Sequence, residues 1–241
     1  MEAARPYYSE GGASTAFYDL MTAADRALDQ DVDLYAAMTP SGGSVLELGS
    51  GTGRISAELA CRGFDVVGLE IAPAMLAQAE AKRPENVTLM YVLGDMRRFD
   101  LGRRFDSVIS PYYALAHLPP AEWPLVLANI LRHLKPTGSV AFHMPIAEVM
   151  AAPAPPPGSL VFRSEAPALE VFLAGKAHDT GTGRMDVILD YAPKGEPQRR
   201  EYLTLFAGDL DGVARRFGLV RETPPVAFGN AGHVHIYRSK P

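Results

Sequence analysis

The chain has 241 residues, 47% of them hydrophobic and 21% charged, which is enough apolar material to bury a sizeable core and excludes a disordered or fibrous chain. Its formal net charge is -5, from 23 Lys and Arg against 28 Asp and Glu, so no broad basic field is available to bind nucleic-acid backbones. The single cysteine, Cys61, excludes an internal disulfide and a multi-cysteine metal site, and points to a cytoplasmic protein.

The opening segment, MEAARPYYSEGG, lacks the apolar centre of a signal peptide, and no later run approaches the ~20 apolar residues of a membrane span. Ala13 to Met38 is rich in Ala, Leu and Met at spacings of three and four, which predicts one or two helices. From Ser44 onward short apolar runs alternate with helix-like segments. Strands are expected at Val45–Gly49, Asp65–Glu70, Val87–Leu93, Phe105–Pro111 and Ser139–Pro145, with helices near Arg54–Arg62, Pro73–Lys82 and Ala121–Leu134. This alternation implies a parallel sheet covered on both faces. Pro73 suits the first turn of a helix, and Pro136-Thr137-Gly138 reads as a stop after one.

The proline-rich stretch Ala152 to Ser159 is too stiff for a helix or a central strand and marks a boundary. Beyond it, apolar runs separated by turn signals such as Asp179-Thr180-Gly181 and Lys194-Gly195 read as an antiparallel insert of three or four strands. A short helix at Asp209–Phe217 and runs near Leu219–Phe228 and His233–Arg238 then return to the main sheet. The expected division is an N-terminal helical cap at 1–43, a core at 44–150 and 208–241, and the insert at 151–207.

The chemistry concentrates in VLELGSGTGR, Val45 to Arg54. Glycines between a first strand and the next helix let a ligand approach the backbone, and the helix start offers free N–H groups. In a NAD-binding turn the spacing is G-x-G-x-x-G and the ligand is a pyrophosphate. Here Gly49, Gly51 and Gly53 are spaced G-x-G-x-G, and Glu47 stands two residues ahead of them. A carboxylate beside a pyrophosphate is repelled by a few kcal/mol at an effective dielectric near ~20. The ammonium and sulfonium of S-adenosylmethionine turn the same carboxylate into an attraction. Glu70 ends the next strand where it can accept ribose hydroxyls, a feature NAD enzymes share, and Asp95 and Met96 follow the third strand where an adenine would lie.

Taken together, VLELGSGTGR, GLEIAPAMLAQAE, GDMRRF and FDSVISPYYALAHL resemble the successive motifs of the class I, Rossmann-like S-adenosylmethionine-dependent methyltransferases, over roughly residues 44 to 145. The resemblance implies a seven-stranded, mostly parallel α/β sheet with N-terminal helices and an antiparallel β insert after strand five, most similar to bacterial sugar-nucleotide N-methyltransferases. It implies Glu47, Gly49, Ser50, Gly51, Gly53 and Arg54 at the methionine moiety, Glu70 and Ile71 at ribose and adenine, Asp95 and Met96 at adenine, and Ser110 where cofactor and acceptor sites meet.

Methyl transfer from a sulfonium needs alignment and exclusion of water rather than a covalent nucleophile. In PYYALAHLPP, His117 is the candidate base, with Tyr112 beside it, and Tyr18 is a second candidate because the family's N-terminal helices carry a tyrosine to the site. His233 and His235 alternate onto one face, but with no acid or cysteine cluster nearby no metal is expected. The expected partner is a small-molecule methyl acceptor, with no nucleic acid and no membrane, and the chain acts as a monomer or homodimer. An NAD-dependent oxidoreductase and a non-catalytic cofactor-binding scaffold are the competing readings.

Overall fold

The computed structural model describes residues 4–25, 28, 30–228 and 232–239. The chain begins with β1 (Arg5–Pro6) and three short helices, α1 (Ala13–Ala16), α2 (Tyr18–Ala24) and α3 (Asp31–Ala37). Strand and helix then alternate as β2 (Ser44–Leu48), α4 (Arg54–Cys61), β3 (Asp65–Glu70), α5 (Pro73–Ala81), β4 (Leu89–Leu93) and β5 (Phe105–Ser110), and α6 (Trp123–His133) leads into β6 (Leu134–Pro145). After α7 (Ala147–Ala151) come β7 (Ser159–Glu165), β8 (Ala168–Asp179), β9 (Arg184–Pro193) and β10 (Arg199–Phe206). The chain closes with α8 (Leu210–Arg216), β11 (Leu219–Arg221), β12 (Val226–Phe228) and β13 (Gly232–Ser239). Parts of the expected cap and core, residues 1–3, 26, 27, 29, 229–231, 240 and 241, lie outside the described residues.

The central sheet runs β4-β3-β2-β5-β6-β13, with β11 and β12 sharing the far edge of β13. Strands β2 to β6 pair in parallel and β13 is antiparallel to β6. It is a mixed α/β fold around a mostly parallel sheet. All five residues of β2 are buried, as a central parallel strand covered on both faces requires. One face packs Leu46, Leu48, Phe142 and Trp123 into the larger apolar cluster, and the other packs Val45, Ile55, Leu59 and Tyr35 into a second. The chain leaves β2 toward β3 and β4 on one side, and later places β5 and β6 on the other. This reversal opens a crevice at the carboxyl ends of β2 and β5, the place where such sheets bind ligands.

The segment after β6 forms its own sheet, β1-β10-β9-β8-β7, so the N-terminus adds a parallel fifth strand to the four antiparallel ones. A third apolar cluster joins Leu169, Val171, Leu189 and Tyr191 of this sheet to Ala13, Phe17 and Leu20 of the N-terminal helices. Buried Glu201 on β10 accepts from the Ala13 and Ser14 amides and so caps α1, whose own sequence offers no side-chain cap. Among the described residues no helix is long and apolar enough to cross a membrane.

Local readings shift in three places. Pro136-Thr137-Gly138 does not follow the helix as a separate stop, because β6 starts at Leu134, directly after His133. The helix expected from Ala121 begins at Trp123, after a 3-10 turn at Pro120–Glu122. The run Leu219–Phe228 splits into β11 and β12, since Pro224 and Pro225 lie between them and supply no amide to a ladder.

The turn between β2 and α4 tests how tightly the crevice is built. Gly53 has φ +82, and a β-carbon there would overlap the Tyr91 phenol and come within 3.1 Å of Ala79. Gly63, with φ +88, has open space instead. Both Ala substitutions carry the strain of a left-handed backbone, about 1–2 kcal/mol, whereas Gly53→Ala adds an overpacking cost of about 1–3 kcal/mol. Urea denaturation is expected to show Gly53→Ala to be the more destabilised variant by that margin.

Candidate active site

The glycine turn is braced from the neighbouring strand. Gly49 and Ser50 amides donate to the Leu69 carbonyl at 2.8 and 3.1 Å, and the Gly51 amide donates to Glu70 Oε2 at 2.8 Å. The other Glu70 oxygen accepts from the Ala72 amide at 2.8 Å. Burial raises the Glu70 pKa, and these backbone donors pull it back down. Glu70 is therefore part of the turn's scaffold as well as a wall of the crevice.

Over the turn lies a cavity with about 910 Å³ of empty space. It is lined by Glu47, Gly49, Ser50, Gly51, Arg54, Glu70, Ile71, Asp95 and Met96 of the expected cofactor residues, and by Tyr18, Tyr112 and His117 of the expected catalytic ones. Two candidates are outside the lining. Gly53 sits behind the turn against Tyr91 and Ala79, and Ser110 is buried at the end of β5 with an unpartnered hydroxyl. The Ser50 hydroxyl, in the cavity wall, is also buried without a partner.

At one end, Glu47 is only 2% exposed and receives a short hydrogen bond from the Ser56 hydroxyl. Burial pushes its pKa up to about 8, with Ser56 and Arg54 acting in the opposite direction. Arg54, at the start of α4, does not close on it. Its two terminal nitrogens donate to the Asp31 carboxylate at 3.0 and 2.6 Å, and Asp31 is itself buried at the start of α3. Sequence spacing gave no hint of this pair, because Asp31 lies 23 residues away in a different helix.

At the opposite end, Ile71 is 60% exposed on the rim and Met96 lines the wall. Asp95 holds the Arg97 guanidinium at 2.7 to 3.0 Å, and Arg97 reaches on to Glu122 at 2.6 Å. That guanidinium keeps the Asp95 carboxyl below its usual range. An adenine amino group placed here would meet an ionised acceptor shared with Arg97.

The side facing away from the sheet is aromatic. Tyr8 packs edge-on to Tyr18 at 5.8 Å and to His117 at 5.7 Å, and Tyr18 meets Tyr112 at 6.5 Å. Tyr112 donates to Asp25 at 3.2 Å and stacks on Tyr113 at 5.3 Å. Tyr112 and Tyr113 both have positive φ, 43° and 65°, a strained double turn that puts the Tyr112 ring on the cavity wall and packs Tyr113 behind it against His143. His117 hydrogen-bonds to the backbone of Thr204 on β10, so the insert orients its ring. Tyr8 was not among the sequence candidates; its only signal was the aromatic pair Tyr7-Tyr8 ahead of a glycine turn. His143 was also missed. It is 1% exposed on β6 with both ring nitrogens unpartnered, and Tyr113 lies 4.7 Å away.

His233 and His235 face a second cleft, with His178, Asp209 and Asp211, rather than this cavity. Among the described residues no group of three or more His, Cys, Asp or Glu side chains is disposed to hold a metal ion. In the adjacent arginine pairs 103–104 and 199–200, Arg103 pairs with Asp65, Arg199 with Glu196 and Arg200 with Asp190 at the surface.

Comparison with known proteins agrees with this geometry. Residues 45–138 match the model of a methyltransferase domain. The dTDP-3-amino-3,4,6-trideoxy-alpha-D-glucopyranose N,N-dimethyltransferase of Streptomyces venezuelae is 35% identical over 109 residues, 45% of this chain and 45% of that protein. The chain thus spans about half the length of the curated relatives it matches. The structure of the CcbJ methyltransferase from Streptomyces caelestis superposes with a TM-score of 0.84 at 22% identity, over 98% of this chain and 99% of that one. The SAM-bound CalS10, an amino pentose methyltransferase from Micromonospora echinaspora, superposes with a TM-score of 0.64 at 25% identity, over 91% and 97%. Fold and crevice together define the class I, S-adenosylmethionine-dependent methyltransferases. This chain has that fold, and its residues 45–138 are similar to the methyltransferase domain family.

Burial pushes the pKa of His117 and of His143 down to about 4. Both rings are then neutral in the folded protein across the range where a free imidazole titrates, and they are charged only in the unfolded chain. In NMR of histidine-labelled protein, neither ring is expected to shift between pH 7.5 and 5.5; a midpoint near 6.5 for either would contradict its burial. The same sign makes the fold lose stability as pH falls from about 6.5 toward 4.

Proposed function

We propose that this protein transfers a methyl group from S-adenosylmethionine to an amine or hydroxyl of a small molecule, with an amino sugar the favoured acceptor. The observation that carries the reading is Glu47, a buried carboxylate on the cavity wall that no cation neutralises among the described residues. A pyrophosphate would hold that acid protonated and gain nothing from it, which disfavours the NAD reading, whereas an ammonium ionises it and completes the site.

When bound, S-adenosylmethionine supplies an electrophilic methyl carbon on a positively charged sulfur. The chain's own residues supply the rest. In this reading Glu47 accepts the ammonium, and Arg54 faces the carboxylate of the same moiety. Gly49, Ser50 and Gly51 give that moiety a close backbone approach and the unpartnered Ser50 hydroxyl. Gly53 acts behind them by letting the turn pass over Tyr91. Glu70 retains lone pairs for ribose hydroxyls and Ile71 covers its edge; Asp95 and Met96 meet the adenine amino group and ring. Ser110, outside the lining, serves the end of β5 rather than the ligand.

His117, Tyr18 and Tyr112 form the acceptor side. The Thr204 hydrogen bond occupies one nitrogen of His117, and burial keeps the ring neutral, so the other nitrogen is free to accept a proton. A base with so low a pKa is poorly matched to a hydroxyl, whereas an amine that enters the cavity unprotonated attacks through its lone pair before any proton has to leave. This favours an amine. The rings of Tyr8, Tyr18 and Tyr112 keep water from the reacting atoms. The amino-sugar acceptor draws on the activities of the relatives, and a nucleic-acid acceptor is disfavoured by the net charge of -5. The cytoplasmic location rests on the single unpaired cysteine, and a monomer or homodimer suffices for the chemistry.

Isotopically labelled S-adenosylmethionine offered with a panel of amino sugars, alkyl amines, phenols and carboxylates is expected to label an amine, read by mass; label confined to hydroxyls or carboxylates would overturn the amine reading. His117→Ala is expected to lower the transfer rate by about 10²-fold or more, while calorimetric affinity for S-adenosylhomocysteine stays close to that of the parent. A rate that holds would move the base elsewhere. Glu47→Ala is expected to weaken that affinity by about 10²-fold, as loss of one charged hydrogen-bond partner implies, with the circular dichroism spectrum unchanged.

A further inference from the structure

Three ionisable side chains meet at the methionine end of the cavity: Asp31 from α3, Glu47 from β2 and Arg54 from α4. Two acids compete for one guanidinium, and the structure resolves the competition in one direction. Asp31 takes both terminal nitrogens of Arg54, at 3.0 and 2.6 Å, in the bidentate geometry that makes such pairs selective. Glu47 is left with a hydroxyl donor, Ser56. The other titratable groups that act on this space are the phenols of Tyr18 on α2, Tyr35 on α3 and Tyr91 on β4, neutral because burial raises their pKa, and His143 on β6, neutral because burial lowers its pKa, so Arg54 and Asp31 are the charges that set the state of Glu47.

We propose that Asp31 is a positioning residue for cofactor binding: by holding Arg54 off Glu47, it keeps an acid and a base apart on the cavity wall, where they can receive the two charges of an amino-acid zwitterion. Without Asp31 the nearest anion to Arg54 is Glu47, and the two recognition groups would close on each other. A buried ion pair adds little net stability compared with well-packed apolar residues, so a pair of this kind is better explained by the geometry it imposes than by the fold energy it adds. The inference rests on the reading of Glu47 and Arg54 as partners of the methionine end.

The same arrangement couples binding to a proton. A buried acid whose donors are the neutral hydroxyl and backbone amide of Ser56 is protonated near neutral pH, as the raised pKa of about 8 indicates, and must ionise to hold an ammonium. Binding then releases one proton and tightens as pH rises toward 8.

The test is calorimetric titration of S-adenosylhomocysteine between pH 6 and 8. In the parent protein affinity is expected to rise about tenfold per pH unit below 8, the slope of one released proton. In Asp31→Asn, Arg54 moves to Glu47 and keeps it ionised, so affinity at pH 8 falls by about tenfold while the slope flattens, and Asp31→Glu recovers part of both. In a Glu47→Gln background Asp31→Asn is expected to have little further effect. A slope and affinity unchanged in Asp31→Asn, or a loss repeated in full in the Glu47→Gln background, would overturn the proposal. Arg54→Gln gives an independent check that does not require Asp31→Asn to fold: affinity falls but the slope persists, and a flat slope there also overturns it. Failure of the parent protein to bind S-adenosylhomocysteine at any pH would instead refute the cofactor reading beneath.

Discussion

A carboxylate buried in the central strand of a sheet is expensive unless something compensates it, and Glu47 is 2% exposed with a hydroxyl as its recorded donor. Much of the site is arranged around that imbalance. The cation that would neutralise Glu47 is within electrostatic reach but is held by Asp31. The turn that follows it is bent by glycines and pinned to β3 through Leu69 and Glu70, so the acid, the free hydroxyl of Ser50 and the turn backbone face one cavity. The protein stores unsatisfied polarity where a ligand carrying both charges would satisfy it.

The sheet explains where the cavity lies; the outer segments explain its shape. Reversal of strand order at β2 opens the crevice, but the crevice is roofed by residues that come from both ends of the sequence. Glu201 ties α1 to β10, the Gln78 amide donates to the Thr15 carbonyl at 2.8 Å, and Thr52 in the glycine turn donates to Asp19 on α2. These links bring Tyr8 and Tyr18 over the turn. They also bring the insert to the cavity, since the Thr204 backbone of β10 hydrogen-bonds His117. The wall of strand ends and glycine turn and the wall of aromatic side chains are thus built by different parts of the chain.

The parts of this structure that repeat locally were legible in the sequence. β3 spans Asp65–Glu70 as its alternation and flanks indicate, and the helices after the first two strands begin at Arg54 and Pro73 as expected. Within the cavity, the readable residues were those tied to strand ends and to the glycine turn, because their location follows from the sheet alone. What was not legible depends on pairings across long separations. Asp31 and Arg54, Asp95 with Arg97 and Glu122, and Tyr8 with His117 are set by how helices and insert pack, which no spacing rule reports. Gly53 shows the complementary limit: the motif marked it correctly as a required glycine, yet its requirement comes from Tyr91 behind the turn.

The central claim is that the polarity left open at Glu47, Ser50 and Glu70 is complementary to S-adenosylmethionine in one orientation. A crystal structure of the complex with S-adenosylhomocysteine tests it most directly. The account predicts the ligand ammonium within hydrogen-bond distance of Glu47, about 3 Å, and the ribose hydroxyls on Glu70. A ligand lying the other way round, with adenine at Glu47, or binding outside this cavity, would contradict it.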